Sequence, residues 1–377
     1  MTDASPPKHV TIANRDVPEG VSASAEISLE ELQLSQRNHG MHLEALRYDV
    51  TPLGMHYVLI HFDVPDTDEA NWTLSVGGRV RNPLALTMAE IRARPSVTMP
   101  VTMECAGNGR ARLTPRPISQ PWLTEAVGTA EWTGTPLRPI LEEAGLQDDA
   151  IELVFTGADR GVQKEIEHDY ERSLSVADAM RDEVLLVYGI NGQPLTPQHG
   201  SPLRLLVPGW YGMASVKWLT RITATTEPFE GFQMESYRFR QEADEEGTPV
   251  TRIHPRSLMI PPGIPDFLTR RRFVDVGRHR LRGRAWSGWA AIHGVEVSTD
   301  GGASWADADL GDPRSPYAWV PWTFDWDADA PVETELCSRA TDAAGNTQPL
   351  DPPWNLGGFA NTSVQRISVE VRRATAE

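Results

Sequence analysis

The stretch Val-Thr-Met-Glu-Cys-Ala-Gly-Asn-Gly-Arg, residues 101–110, is the most informative part of this chain. It places one thiol, Cys105, between an apolar run typical of a strand and a turn rich in glycine and asparagine. Such turns permit positive φ and let the backbone approach a ligand closely. Arg110 can set a fixed positive charge beside the sulfur. The decapeptide therefore predicts a nucleophile or a soft-metal ligand, and a buried free cysteine at a strand end is the alternative.

Composition limits the classes of partner. The chain has 377 residues, 40% hydrophobic and 23% charged, which is typical of a soluble globular protein with two or three domains. Its formal net charge of −17 disfavours nucleic acid and anionic membranes as partners. A small anionic substrate is still compatible with this charge, because local arginines can focus a positive field inside an acidic protein.

The two cysteines restrict the cofactor chemistry. Cys105 and Cys337 are too few for a zinc framework of four thiolates, and the sequence has no Cys-x-x-Cys-His motif for covalent haem attachment. A disulfide between the two is conceivable. Cys337 lies in an alternating segment, residues 334–341, which predicts a strand with this thiol in the core.

Targeting signals are sparse. Residues 1–21 lack both the apolar core of a secretory signal and a twin-arginine pair, which favours the cytoplasm. A periplasmic location is expected instead if the sequence is a trimmed mature form. No apolar run reaches about 18 residues, so we expect no membrane insertion.

Three segments differ in pattern, with predicted boundaries at 1–33, 34–245 and 246–377. The first is a polar arm, and the second mixes helix and strand signals. Thr87 and Glu90 form a capping box that predicts a short helix. Thr135-Pro136 predicts the start of a second helix over 137–144, and Gly145 its end. Buried strands are predicted from apolar runs at 151–155, 184–188, 203–207 and 216–224.

The sequence pattern of the third segment predicts strands and no helix. An acidic stretch at 241–248 precedes it and predicts a linker or surface loop. Residues 300–302, Asp-Gly-Gly, predict a hairpin turn after a strand over 292–298. Further short strands are predicted at 320–326, 335–341 and 364–371. This spacing predicts an antiparallel β-sandwich of immunoglobulin-like outline.

Five motifs in a fixed order resemble those of the sulfite oxidase family. The Cys105 segment resembles the family's molybdenum-ligating loop, and Arg37-Asn38-His39 resembles its early Arg-Asn-His motif. The other three are the stretch between Trp122 and Trp132, the run at 199–209 and the run at 215–219. The resemblance extends from about residue 34 to about residue 372.

This resemblance implies an α+β protein, in which a mixed α/β molybdopterin-binding domain is followed by an immunoglobulin-like dimerisation domain. It implies molybdenum and molybdopterin as cofactors, with Cys105 as the metal ligand. The cofactor-binding residues that it implies are Asn38, His39, Asp159, His199, Arg204, Ser215 and Lys217. The catalytic residues that it implies, around an anionic substrate, are Arg37, Arg110, Trp122 and Tyr237.

Two positions depart from the family pattern. Gly109 stands where the family has the first arginine of an Arg-Arg pair, and Gly357 where many members have an arginine. Arg366 is a candidate for the pocket arginine that the family draws from its C-terminal domain. A less positive pocket would bind a dianion more weakly.

The expected reaction is the oxidation of sulfite and water to sulfate, with two electrons passed to an external acceptor such as a cytochrome. A nitrate reductase or an S- or N-oxide reductase with the same cofactor is the nearest alternative. A binding protein with a vestigial cofactor site is the alternative from another class. We also expect a homodimer, because the C-terminal segment resembles a dimerisation domain.

Overall fold

The computed structural model describes residues 21–22, 26–351 and 353–373. The predicted arm, residues 1–33, therefore lies largely outside the described residues. Its last part is helical, because α1 (Leu29–Arg37) begins at an N-cap, Ser28, whose hydroxyl accepts from the Glu31 N–H in a reciprocal capping box. The prediction of an arm up to residue 33 is wrong over this turn.

Helices are short and few in the described part of the chain. The remaining α-helices are α2 (Met88–Arg92), α3 (Leu137–Ala144), α4 (Val176–Ala179) and α5 (Phe232–Ser236). Single 3₁₀ turns occupy Leu43–Arg47, Leu53–Met55, Glu69–Asn71, Arg110–Arg112, Pro197–His199 and Gly212–Ala214. None of the described helices is long and apolar enough to cross a membrane.

Strands make up most of the regular structure. Those before residue 250 are β1 (Val21–Ser22), β2 (Thr73–Gly78), β3 (Leu84–Thr87), β4 (Val97–Glu104), β5 (Arg116–Pro117), β6 (Val127–Pro136), β7 (Glu152–Gln163), β8 (Ile166–Ser175), β9 (Leu185–Ile190), β10 (Gln193–Pro194), β11 (Arg204–Leu206), β12 (Leu219–Thr225), β13 (Arg238–Phe239) and β14 (Thr248–Pro249). Those after it are β15 (Arg256–Met259), β16 (Ile264–Pro265), β17 (Arg272–Asp275), β18 (Gly277–Trp286), β19 (Ile292–Ser298), β20 (Ala306–Asp307), β21 (Asp309–Leu310), β22 (Val320–Ala328), β23 (Val332–Asp342) and β24 (Gln365–Arg372).

Two five-stranded sheets build the first domain. One has the order β10-β9-β6-β4, with β11 beside β9, and the other has the order β3-β2-β12-β7-β8. Phe155, Leu186 and Leu205 come from both sheets and share one core with Ile140 of α3, each with no exposed surface. The apolar runs that form β9 and β11 are therefore buried on both faces, as predicted. β12 alternates instead, with Arg221 exposed.

The second domain is a β-sandwich. A four-stranded sheet, β15-β18-β22-β21, and a six-stranded sheet, β16-β17-β24-β23-β19-β20, contribute to one apolar core. Strands β17 and β24 run parallel, so the expectation of a wholly antiparallel sandwich is wrong at this pair. Cys337, 1% exposed in β23, is buried as predicted, and both cysteines are free, so the conceivable disulfide is not formed.

Local signals near helix ends are mostly confirmed. Thr87 and Glu90 cap α2 reciprocally, and Gly145 ends α3 with φ 68°. The predicted Thr135 cap of α3 is wrong, because Thr135 and Pro136 complete β6 and pair with β9. Gly301 and Gly302, at φ 74° and 97°, form the predicted hairpin turn after β19.

A third core lies where the two domains meet. It joins Ala106, Val127 and Tyr211 of the first domain to Trp286 and Phe359 of the second. Ala106 follows Cys105 directly, so the junction between the domains lies against the loop that carries the thiol.

Candidate active site

Cys105 is held at the end of β4 by its own backbone. Its N–H donates to the Ala126 carbonyl at 2.9 Å, and its carbonyl accepts from the Asn108 N–H at 3.0 Å, which closes the turn. The residue is 7% exposed, and burial raises the pKa of its thiol. The charge of Arg110 acts in the opposite direction and favours the thiolate.

A cavity opens beside this thiol in the first domain. Seven of the side chains predicted for the site form part of its wall: Cys105, Asp159, His199, Arg204, Ser215, Lys217 and Tyr237. They come from separate segments, which the two sheets bring to one place.

Two cations form part of the cavity wall, one buried and one half-buried. Arg204, 4% exposed, donates to the His199 carbonyl at 2.9 Å and to the Ser215 carbonyl at 3.1 Å. Its guanidinium carbon lies 4.9 Å from the centre of the Trp132 ring. Lys217 Nζ donates to the Leu59 carbonyl at 2.8 Å. Burial lowers the pKa of Arg204 to about 10 and also lowers the pKa of Lys217. A bound anionic group would offset this cost of desolvation.

Polar atoms without partners point to a missing polar ligand. Within residues that the structure describes, Asp159 Oδ1, His199 Nε2 and Arg204 Nε are buried and make no hydrogen bond. Burial raises the pKa of Asp159 and lowers that of His199. Buried polar groups are normally satisfied, so a ligand with its own donors, acceptors and negative charge fits this wall. Molybdopterin, a pterin with a phosphate, is such a ligand.

Sequence reasoning missed His56 and Tyr57, which also line the cavity. His56 is 1% exposed, its ring lies 5.5 Å from that of His199, and burial lowers its pKa to about 4, so it is neutral at pH 7. The space for its ring depends on Gly128, where a Cβ would lie 2.7 Å from His56 Cδ2. No motif in the sequence links residues 56 and 128.

The predicted catalytic residues divide into two groups around Cys105. Tyr237 is on the cavity wall, and burial together with the nearby Cys105 raises its pKa to about 12. Arg110, 6% exposed, is beside the thiol but is not part of the wall. It donates to the carbonyls of Gly357 at 3.0 Å and Gln120 at 3.2 Å. Trp122 also stabilises the thiolate and faces a separate outer groove.

The early Arg-Asn-His motif is not placed on the cavity wall. The Arg37 guanidinium bonds the Phe62 carbonyl and Asp63, and its side chain is 45% exposed. The expected substrate contact of Arg37 therefore has no support in this geometry. His39 lies on the outer groove, and its backbone pairs with Val58.

The Asn38 side chain does not line the cavity and is bonded to other residues, so its cofactor contact stays a prediction. Its amide nitrogen donates to the Leu34 carbonyl and to Gln120 Oε1, both at 2.9 Å. Its oxygen accepts from the Ile60 N–H at 2.6 Å. Through these bonds the side chain connects α1 to the segment around Ile60.

The two departures from the family pattern have local causes. Gly109 has φ 93°, and a Cβ there would lie 2.6 Å from the Asn361 carbonyl oxygen, so this position requires glycine. At Gly357 a Cβ would overlap the Phe359 ring, and its carbonyl accepts from Arg110. Arg366 bonds Glu335 at 3.2 Å and the Gly301 carbonyl, and it lies on the outer groove rather than in the cavity.

A buried ion pair joins the Cys105 loop to the second domain. Glu104, with no exposed surface, lies 3.0 Å from Arg256 Nε and accepts from the Trp286 indole N–H at 2.8 Å. Asn108 donates to the other side of the same carboxylate at 3.0 Å. Arg256 also bonds the Asn108 and Asn361 carbonyls. The second domain thus fixes the turn that presents Cys105, which the sequence motifs did not reveal.

These features define a cavity with a thiol, two cations and unpartnered polar atoms in its wall, next to a β-sandwich domain. Two family models match the chain: an oxidoreductase molybdopterin binding domain over residues 61–233 and a Mo-co oxidoreductase dimerisation domain over 257–372. The chain belongs to the sulfite oxidase family of molybdopterin-dependent oxidoreductases, and its cofactor is molybdenum with molybdopterin. The domain limits of 34–245 and 246–377 stay predictions.

Similar proteins include enzymes with different substrates. The NADH nitrate reductase of Hordeum vulgare is 33% identical over 363 residues, which cover 86% of this chain and 39% of that protein. That of Solanum lycopersicum is 30% identical over 365 residues, with coverage of 85% and 38%. The chain thus spans about two fifths of these relatives. The crystal structure of the sulfane dehydrogenase SoxCD from Paracoccus pantotrophus superposes with a TM-score of 0.75 at 27% identity, over 88% of this chain and 86% of that chain.

Proposed function

We propose that this protein oxidises sulfite to sulfate at a molybdenum centre and passes two electrons to a separate acceptor. The observation that carries the proposal is the Cys105 thiol and the Tyr237 hydroxyl on the wall of one cavity, with Arg110 beside the thiol and two further cations in the wall. A thiolate is a suitable ligand for a soft metal, and cations with a hydroxyl donor suit an oxyanion.

The residues of the wall have separate tasks in this proposal. Cys105 holds the metal, while Arg204 and Lys217 neutralise the negative charge of the pterin phosphate. Asp159 accepts from pterin N–H groups and His199 offers a ring nitrogen, because each has a buried atom with no other partner in the described chain. The bound cofactor supplies oxygen-atom transfer and two-electron redox chemistry.

Tyr237 and Arg110 act on the substrate anion. Since the pKa of Tyr237 is raised to about 12, its hydroxyl keeps its proton at neutral pH and can donate to an oxyanion oxygen. Arg110 is fixed by two carbonyls, so its charge needs no rearrangement when an anion arrives. Its position behind Cys105 favours action through its field rather than through direct contact.

Two comparisons point to different substrates. The name of SoxCD describes the dehydrogenation of a sulfane sulfur, and the likeness extends over 86% of that chain, which supports a reduced sulfur compound as substrate. The nitrate reductases favour nitrate reduction as the second candidate. Both candidates use a small oxyanion of sulfur or nitrogen.

Steady-state kinetics on protein of known molybdenum content distinguish these candidates. We expect turnover with sulfite and an artificial electron acceptor, and little nitrate or sulfoxide reduction with a reduced dye. Protein that is replete in molybdenum, ignores sulfite and reduces nitrate would move the assignment to nitrate reductase. If molybdenum-replete protein turns over none of these substrates, the assigned reaction is wrong and only the assignment of the cofactor site stands.

The acceptor and the assembly are part of the proposal. We propose that electrons pass to a separate carrier such as a cytochrome. The match to a dimerisation domain over 257–372 supports a homodimer formed through the second domain. The compartment stays a prediction, with the cytoplasm favoured.

A further inference from the structure

Three tyrosines form part of the cavity wall, and they differ in what their hydroxyls contact: Tyr57, Tyr170 and Tyr237. The Tyr170 hydroxyl donates to the Met213 carbonyl at 2.9 Å, so it is satisfied within the protein. The hydroxyls of Tyr57 and Tyr237 have no hydrogen-bond partner among the residues that the structure describes. Tyr237 already has a place in the proposed function, whereas Tyr57 has none.

The Tyr57 side chain is fixed before any ligand binds. It is 6% exposed, and its ring stacks on that of His56, with the ring centres 5.3 Å apart and an angle of 22° between the planes. Gly212 provides the space for its hydroxyl, because a Cβ at this position would overlap the Tyr57 hydroxyl oxygen. A donor that is already oriented loses little conformational entropy when it binds a ligand.

The Tyr57 hydroxyl lies beside the end of β4 that presents the thiol. A Cβ at Gly212 would also lie 3.3 Å from Met103 Cγ and 3.4 Å from the Glu104 carbonyl oxygen. These two residues directly precede Cys105. Burial raises the pKa of Tyr57 well above its ordinary value, and the nearby Cys105 acts in the same direction. The hydroxyl therefore keeps its proton at pH 7 and is available as a donor.

The arginines near the thiol are already engaged. Arg110 and Arg204 each donate to two backbone carbonyls. Their charge can attract an anion, but these bonds limit how they reorient towards it. A buried polar group without a partner costs free energy until a ligand satisfies it. The Tyr57 and Tyr237 hydroxyls are therefore donors that the oxygens of a ligand would satisfy.

We propose that Tyr57 is a second substrate-binding residue, whose hydroxyl donates to one oxygen of the substrate anion while the Tyr237 hydroxyl donates to another. This inference rests on the proposed function and narrows its substrate class. Two separate hydroxyl donors match an oxyanion of sulfur or nitrogen with at least two free oxygens, whereas a sulfoxide offers only one. The charge of the arginines attracts the anion, and the hydroxyls orient its oxygens.

Anion titration of molybdenum-loaded protein by calorimetry tests this role without turnover. Sulfate, the product of the proposed reaction, is the probe. Tyr57→Phe should raise the dissociation constant of sulfate by about tenfold, which corresponds to about 1.4 kcal/mol. The double variant Tyr57→Phe/Tyr237→Phe should raise it by about 100-fold, because the two hydroxyls bind separate oxygens. In sulfite turnover, Tyr57→Phe should raise KM more than it lowers kcat, since the bond also forms in the ground state.

Tyr170→Phe is the matched control, because this tyrosine shares the wall but its hydroxyl is bonded to Met213. The variant should keep the sulfate affinity of wild type. Unchanged sulfate affinity in Tyr57→Phe, or an equal loss in Tyr57→Phe and Tyr170→Phe, would overturn the role of Tyr57. Gly212→Ala should weaken sulfate binding in wild type and cause no further loss in Tyr57→Phe, where the hydroxyl is absent. A further loss there would contradict the position assigned to the hydroxyl.

Nitrate, titrated in parallel, separates this inference from the assignment of the substrate. If wild type binds nitrate but not sulfate, and Tyr57→Phe weakens nitrate binding, Tyr57 keeps its role and the assigned reaction is wrong. If wild type turns over sulfite and Tyr57→Phe has the same kinetics, the reaction stands and the role of Tyr57 is overturned.

Discussion

At the scale of single residues, Arg110 shows how the structure changes a role inferred from sequence. The motif favours direct contact with an anionic substrate. The structure places Arg110 behind Cys105 and engages it with the Gly357 and Gln120 carbonyls. Its charge still reaches the thiol, where it counters the rise in pKa that burial causes. Arg110 is therefore expected to act on the metal end of the cavity through its field and through the geometry of the loop.

Arg110→Gln should lower kcat/KM for sulfite, per molybdenum bound, by about 10- to 100-fold. The reason is that the variant loses the charge that favours the Cys105 thiolate and weakens the bonds that hold the loop. A loss of about 1.4 kcal/mol in transition-state stabilisation is a factor of ten in rate. Because the residue is not on the wall, kcat should carry more of the loss than KM. Arg112→Gln is the control, two residues along the same turn but exposed. Equal losses in the two variants, or a pure increase in KM for Arg110→Gln, would contradict this role.

At the scale of elements, local sequence patterns predicted individual strands and helix caps. They did not predict which distant strands or charges pair with each other. The strand over 292–298 and the cap of α2 were predicted, because alternation and capping chemistry are local. The parallel pairing of β17 with β24 and the ion pair between Glu104 and Arg256 join distant parts of the chain. Nothing in a local pattern encodes which distant strand or charge becomes the neighbour, since domain docking decides it.

Arg256→Met should destabilise the protein by about 3–5 kcal/mol, because it leaves the Glu104 carboxylate buried without its cation. Arg256 is 1% exposed and Glu104 has no exposed surface. The measurement is urea unfolding followed by tryptophan fluorescence, for which Trp286 at the contact is a local probe. The Cys105 loop should loosen too, so the purified variant should retain less molybdenum.

Arg278→Met provides the matched control for that experiment. Arg278 pairs with Asp325 at 2.9 Å on the surface of the sandwich, where its side chain is 67% exposed. Exposed pairs contribute little, so this variant should unfold close to wild type. If both variants lose the same stability, the buried pair does not couple the two domains in the way described.

At the scale of the whole molecule, the second domain supports the loop that carries Cys105 without lining the cavity itself. The core shared by the domains includes Ala106, next to the thiol, and Trp286 and Phe359 of the sandwich. Family motifs in the sequence predicted seven side chains that the structure brings to the cavity wall. They did not predict His56, because its position depends on packing against Gly128. They also did not predict that Arg37, the last residue of α1, lies off the cavity wall.

The most direct test of the central claim is the molybdenum and pterin content of the purified protein, measured with turnover of sulfite in wild type, Cys105→Ser and Cys337→Ser. We expect wild type to carry about one molybdenum and one pterin per chain, and Cys105→Ser to lose turnover, because a hydroxyl is a poor ligand for a soft metal. Cys337→Ser, altered at a thiol in the core of the sandwich, should keep both cofactor and turnover. Full activity in Cys105→Ser, or stoichiometric zinc in place of molybdenum in wild type, would contradict the account.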